Sequence, residues 1–459
     1  MKIYITIVFC LFPLLIHTQI FGPQQLVGNI STSVDAVDLA DLDGDNNIDL
    51  IVSYNNFIVW HKNLDGLGNF GPAIEIALGL GLGPSIHIAD INGDAHLDIV
   101  FPSGNQDRVL WLANDGTGNF SNPVVITDSV DVPYDVISAD IDGDGDLDII
   151  VSADVEDTLY WHENMNGDGL LWVAHLVTDT GCSGRSSFAG DIDGDGDIDI
   201  ATSAPAWNYT LAWFENLDGN GTFGTERIIA GPESGVEKIE GLDIDNDGDF
   251  DIVAATPADN KLAWFENMDG LGNFGTEQII SNETVHANDI DFADLDNDGD
   301  YDLVSIGAQP VANAKMAYYI NLDGLGNFSG LQLIQGDFGG SSTLVTGDID
   351  GDGDKDVATS LAYFNQPREI SWYENLTILN VTDIEALGIK IYPNPVKEEL
   401  VIESPITITK VTLYSVLGNK LLEVSKDLNE ISLISLPSGM LLVELETEKG
   451  TIIEKILKE

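Results

Sequence analysis

The chain has 459 residues, long enough for two or three ordinary domains or for one large repeat domain plus a small one, and its 44% hydrophobic and 21% charged residues argue against general disorder. Its 77 acidic residues against 18 basic ones give a formal charge of −59. That balance argues against nucleic acid as a partner, since phosphate neutralisation needs clustered Lys and Arg, and favours a structural role for cations.

Residues 1–19, MKIYITIVFCLFPLLIHTQ, set Lys2 before an apolar run, the pattern of a secretory signal peptide cleaved near Thr18 to Ile20. Pro13 and the shortness of the run argue against a membrane anchor, so no transmembrane span is expected in the mature chain. Cys10 lacks the small residues that precede a lipoprotein cysteine. With the signal removed only Cys182 remains, so no internal disulfide can form and an extracellular chain needs other stabilisation. No catalytic partner for Cys182 is identifiable.

Residues 20–379 repeat. Acidic loops begin at Asp41, Asp90, Asp140, Asp191, Asp243, Asp294 and Asp348, 49 to 54 residues apart. A second motif keeps step with them, typified by WFENLDGNGTF from Trp213 and WFENMDGLGNF from Trp264. Each unit reads as four short strands: an alternating segment, the acidic loop, a β-branched run, the aromatic segment, a Gly-rich hairpin, and a strand such as FGTERII. This pattern predicts an all-β fold, a seven-bladed β-propeller. The seventh unit stops at WYENL without its last strand, and the segment IFGPQQLV supplies a match. Phe21 to Val27 is therefore expected to complete that blade. The recurring Trp60, Trp111, Trp161, Trp213, Trp264 and Trp372 read as blade packing, and the turns after them as hairpins.

The acidic loops read as metal sites. In DIDGDGDLD the carboxylates Asp140, Asp142, Asp144 and Asp148 stand at positions 1, 3, 5 and 9, position 7 can offer its carbonyl, and Gly145 at position 6 permits a left-handed turn. Hard oxygen donors at this density, without Cys or His, suit Ca2+. The apolar residue at position 8, Leu147, is expected to anchor the loop on the core. The same ligand positions are Asp41, Asp43, Asp45 and Asp49; Asp90, Asn92, Asp94 and Asp98; Asp191, Asp193, Asp195 and Asp199; Asp243, Asp245, Asp247 and Asp251; Asp294, Asp296, Asp298 and Asp302; and Asp348, Asp350, Asp352 and Asp356. That makes up to seven sites. The second loop is expected to be weakest, with Asn92 and with Ala95 where glycine is wanted, and Lys355 at position 8 leaves the anchoring of the seventh in doubt. The loops are not EF-hands: the twelfth position of the third is Val151, and strands flank them.

These loops resemble FG-GAP/VCBS repeats, the family that includes the calcium-binding blades of integrin α-subunits, over roughly residues 21 to 376. The resemblance implies calcium at the positions named but no particular ligand. Residues 380–459 differ in composition, carrying eight of the 18 basic residues, and read as a small β-sandwich. YPNPVKEELVI from Tyr392, LYSVLGNKL from Leu413 and LPSGMLLVEL from Leu436 resemble a type A sorting domain of the type IX secretion system, departing where Leu441 stands at an often-tyrosine position. This implies handling by that secretion machinery and an extracellular or outer-membrane cell-surface location.

The acidic loops and Gly-rich hairpins should share one face of the ring. The variable loops on the other are where a glycan or protein ligand is expected, and Trp207, Tyr209, Tyr134, Arg108, Arg185, Arg368 and Phe364 are its candidate residues. Nearly every conspicuous Asp is accounted for by the repeat, and His87, His175 and His286 have no identifiable catalytic partner. A non-catalytic adhesion or ligand-binding module is therefore the expected function. The alternative is an extracellular polysaccharide lyase or hydrolase, which would need a unique acid/base pair.

Overall fold

Burial distinguishes the strands of each unit. In the third, Pro133–Ala139, Asp148–Ala153, Leu159–Asn164 and Trp172–Thr178 form one antiparallel sheet in chain order. The second strand, DIIVSA, is buried along its whole length, as suits an aliphatic run covered on both faces, while the fourth is half-buried or exposed.

The computed structural model describes residues 20–458 apart from 80, 82, 154–157, 180–183, 204–210, 232–234, 308–313, 340–342, 364–365, 378–388, 406, 416–419, 427, 435, 438 and 448–449. Trp207, Tyr209, Phe364 and Cys182 lie outside the described residues, as does the expected signal segment. The chain divides into a larger unit ending at Leu376 and a smaller one from Thr377 to Glu459. Among the described residues there is no α-helix, and none is long and apolar enough to cross a membrane.

The larger unit is built from repeated four-stranded antiparallel sheets, an all-β arrangement consistent with a propeller. Their first strands neighbour one another in the order Ala36–Ala40, His87–Ala89, Pro133–Ala139, Ser187–Gly190, Lys238–Leu242, Ala287–Ala293 and Leu344–Gly347, and this last also neighbours Ala36–Ala40. Core clusters straddle consecutive sheets: Trp264 and Leu242 of one pack with Leu303 and Tyr319 of the next, and Val52 packs with Ile349 and Trp372.

One sheet is assembled from both ends of the unit. Leu344–Gly347, Asp356–Ala362 and Arg368–Tyr373 come from the seventh repeat, and Gln25–Ile30 pairs antiparallel with the last of them, Gln25 opposite Trp372 and Ile30 opposite Arg368. The expected segment was Phe21 to Val27. The ladder instead begins at Gln25, and Phe21 contributes a single bridge to Asn375 while its ring packs edge-on against Tyr318 at 5.4 Å.

In the smaller unit, Lys390–Tyr392, Glu399–Glu403 and Glu430–Ser432 make one sheet. Ile408–Ser415, Lys420–Val424, Gly439–Thr447 and Gly450–Lys458 make another. Leu400, Ile402, Val411, Leu413, Leu441 and Val443 share its core. Leu441 is buried there, so an aliphatic residue serves as packing where related sequences often carry tyrosine.

Deleting residues 19–29 removes a paired strand and the buried Phe21 ring, whose burial alone is worth about 1.5–3 kcal/mol. The shortened chain is expected to melt at least about 5 °C lower than the full one by calorimetry. An unchanged melting temperature would refute the role of this strand.

Candidate functional site

Each acidic loop is held from below by its last aspartate. Asp49, Asp98, Asp148, Asp199, Asp251, Asp302 and Asp356 are all buried. One oxygen of each accepts the backbone N–H of loop position 2, as Asp199 does from Ile192 at 3.0 Å. The other accepts the N–H of the asparagine ending the aromatic strand, as Asp199 does from Asn216 at 2.8 Å. Burial pushes Asp49, Asp148, Asp199, Asp251 and Asp356 up to about 7, and Asp98 up to about 6, against the lowering effect of those two N–H donors.

The asparagine then reaches out of its own unit. The Asn267 side chain donates to the carbonyl of Ile192, one repeat earlier, at 2.8 Å, and its oxygen accepts from Gly272 at 3.1 Å. The same bond to a preceding repeat is made by Asn114 to Leu42, Asn164 to Ile91, Asn216 to Ile141, Asn321 to Ile244 and Asn375 to Leu295. Asn63 of the first repeat donates to Ile349 of the seventh, at 2.8 Å. The tryptophans behave in parallel. A Cβ on Gly272 (φ +70°) would lie 2.0 Å from the ring of Trp213 in the preceding unit, and one on Gly68 would lie 2.1 Å from Trp372. These rings are packing, as read from the sequence.

The anchor expected at position 8 sits at position 2. Leu42, Ile91, Ile141, Ile192, Ile244, Leu295 and Ile349 are the fully buried apolar loop residues, whereas Leu97, Tyr301 and Lys355 at position 8 are exposed and Leu147 is half-buried. The physical reason is that position 2 carries three bonds' worth of constraint: its N–H goes to the final aspartate, its carbonyl to the next asparagine, and its side chain to the core. Lys355 therefore costs the seventh loop no anchor. Position 4 also turns left-handed, through Gly44, Gly93, Gly143, Gly194, Asn246, Asn297 and Gly351, a second turn that the sequence reading did not single out. Ala95 at position 6 of the second loop has φ 67°, where a Cβ is strained.

Above this base the carboxylates converge. Oxygens of Asp140, Asp142 and Asp148, of Asp191, Asp193 and Asp199, and of Asp243, Asp245 and Asp251 lie within 4.8 Å of one another in each set. Asp140 Oδ1, Asp191 Oδ1, Asp193 Oδ1, Asp245 Oδ1 and Asp348 Oδ1 are buried without a hydrogen-bond partner. Burial first, then the neighbouring carboxylates, raises Asp142, Asp193 and Asp245. Such all-oxygen sets fit a hard cation. In the fourth unit Glu215, next to Asn216, joins Asp193 and Asp195 within the same distance. In the seventh, the position-7 side chain is also drawn in: Asp354 is 1% exposed, has neither oxygen partnered, and is pushed up to about 9 by burial and by Asp352 and Asp356. Sequence reasoning assigned that position only a carbonyl.

Away from these loops the first strands wall a cavity of about 480 Å³ that includes Tyr134 and Arg185 of the expected ligand residues. Arg185 pairs with Glu237 at 2.6 Å and lies 5.3 Å over the Tyr134 ring. Arg108 and Arg368 are not among its lining; Arg108 is exposed at the start of its strand. The sequence reading missed the acids that line this cavity, Asp38, Asp135, Asp289 and Asp291, with Lys238 paired to Glu240 at 2.8 Å. Their signal was strand alternation, as in ANDIDFA. His87 bonds Ser138 at 2.8 Å, and His175 bonds Glu163 at 2.8 Å while stacked on Trp161.

The FG-GAP-like repeat model matches residues 41–101, 90–151, 140–202, 191–254 and 243–305, more than half of the chain. The chain belongs to the FG-GAP-like repeat family. Beyond its FG-GAP-like repeats, residues 390–459 match the secretion system C-terminal sorting domain, which marks the protein for export to the cell surface or extracellular space. No curated protein matches it. Among solved structures it is similar to an Agrocybe aegerita lectin that recognises non-reducing terminal N-acetylglucosamine, at 21% identity and a TM-score of 0.51, covering 72% of this chain and 86% of the lectin. It also matches PorZ, a surface component of the type IX secretion system of Porphyromonas gingivalis, at 12% identity and a TM-score of 0.41, covering 90% of this chain and 58% of that one.

Two outcomes are expected from the FG-GAP-like loops. Asn267→Ala strands the Ile192 carbonyl and the Gly272 N–H, and is expected to destabilise by about 2–4 kcal/mol in denaturant melts, against near-neutrality for the exposed Asn273→Ala. Six of the position-9 carboxylates, Asp49, Asp98, Asp148, Asp199, Asp251 and Asp356, have folded pKa values raised to about 6 or 7, so the native state binds more protons than the unfolded chain between about pH 4 and 7. In chelator, stability is therefore expected to fall as pH rises through that window, with a higher melting midpoint at pH 5 than at pH 8.

Proposed function

We propose that this is a secreted, calcium-stabilised, seven-bladed ring, closed by its N-terminal strand, that serves as a non-catalytic ligand-binding module at the cell surface. In this reading residues 1–19 are removed as a signal peptide. The C-terminal domain is the part handled by the secretion machinery.

The observation that carries the proposal is the repeated set of buried carboxylate oxygens without protein partners, as at Asp140, Asp191 and Asp245. A bound calcium ion supplies the positive charge and the six to eight oxygen contacts that such a set lacks. Asp140, Asp142, Asp144 and Asp148 would hold it in the third loop, and their counterparts in the fourth and fifth loops would do the same. The final aspartates keep these loops fixed through backbone bonds, so ion binding adds to a scaffold already shaped by Asn and Asp.

A non-catalytic role is supported by where the titratable groups go. The loop aspartates are accounted for by the repeat, and His87 and His175 are hydrogen-bonded to Ser138 and Glu163. For the ligand, the Tyr134–Arg185 pair beside the acidic cavity offers an aromatic face and a cation. A glycan is the favoured class, and the similar lectin, which recognises terminal N-acetylglucosamine, gives the first sugar to try.

Calcium is expected to raise the melting temperature of chelated protein by more than about 10 °C. On a glycan array, Tyr134→Ala and Arg185→Ala are expected to lose at least about tenfold in binding, about 1.4 kcal/mol, at an unchanged melting temperature. Turnover of a polysaccharide, abolished by one unique substitution, would replace this reading with the enzymatic one.

A further inference from the structure

The residue just before the cross-unit asparagine differs among the repeats in a way that bears directly on the loops. It is Glu163, Glu215, Glu266 and Glu374 in the third, fourth, fifth and seventh units, but Lys62 in the first. Glu215 turns a carboxylate toward Asp193 and Asp195 at loop positions 3 and 5. Lys62 occupies the equivalent place and turns an ammonium toward the equivalent pair. Its Nζ contacts Asp43 and lies 2.8 Å from Asp45 Oδ2. Position 7 of this loop is also Asn47 rather than aspartate, while Asp41 accepts from the N–H groups of Gly44, Asp45 and Asn46 as Asp243 does from Asp247 and Gly248.

We propose that Lys62 is a built-in cation that takes the place of the metal in the first loop, so that this loop is ordered without calcium while the loops bearing glutamate bind it. An ammonium and a divalent ion cannot share one set of carboxylates: both need the same oxygens, and their like charges repel at such short range. The first loop lies at the seam, since Asn63 bonds Ile349 and Gly351 approaches the carbonyl of Gly66. One side of that seam is thus secured by a covalently attached charge that a chelator cannot remove.

This inference rests on the calcium reading above, and its test separates the two. The full chain is stripped with chelator, dialysed into calcium, and its bound calcium counted by elemental analysis. Asp45→Asn is expected to leave the wild-type count unchanged, whereas Asp195→Asn is expected to lower it by one. Lys62→Glu is expected to raise it by one. Loss of one ion in Asp45→Asn would overturn the inference while the calcium reading stands. A folded Lys62→Glu chain that gains no ion would also overturn it. A wild-type chain that binds no calcium would defeat the calcium reading, and if Lys62→Glu also bound none, this inference would fall with it.

Discussion

The structure of the larger unit depends on one buried carboxylate used seven times. An aspartate at the end of each acidic loop accepts one N–H from within the loop and one from the asparagine that closes the aromatic strand. That asparagine in turn donates to the preceding repeat. Loop shape, strand position and the spacing between sheets are thereby joined in one hydrogen-bonded relay. Such a relay works only when every member is satisfied, because each orphaned buried group would cost about 1–3 kcal/mol.

The relay has an electrostatic cost that organises the rest of the site. Burying the final aspartate beneath three more carboxylates raises proton affinities through desolvation and like-charge repulsion. Positive charge is then needed close by. The first repeat carries it as Lys62, and the fourth carries a further negative charge, Glu215, which pairs with Arg227 on the next strand. Near-identical loop sequences can therefore place opposite charges over the same carboxylates through a residue some 20 positions away in sequence.

Much of this was legible because it recurs. The convergence of the loop carboxylates, the tryptophan packing and the missing last strand all follow from comparing seven copies of one unit, where chance similarities average out. What was not legible depends on which neighbour a side chain meets. Position 2 and position 8 of the loop are both apolar, and only the fold shows that Ile141 is buried while Leu147 is not fully so. The reach of Asn267 into the previous repeat leaves no trace in local sequence. The acidic wall of the cavity was hidden by ordinary strand alternation. Of the expected ligand residues, Tyr134 and Arg185 come together because their segments flank first strands of adjacent sheets.

Gln24 and Ser371, hydrogen-bonded at 2.7 Å, stand 347 positions apart. On a ribosome, or leaving a membrane pore in an extended state, the first strand of this protein has no partner until nearly the whole repeat array has emerged. Until then the sheet of the seventh repeat lacks its fourth strand, and the order of synthesis itself delays its completion. For a chain marked for export, that sheet can be completed only after the last repeat has arrived on the same side as the first.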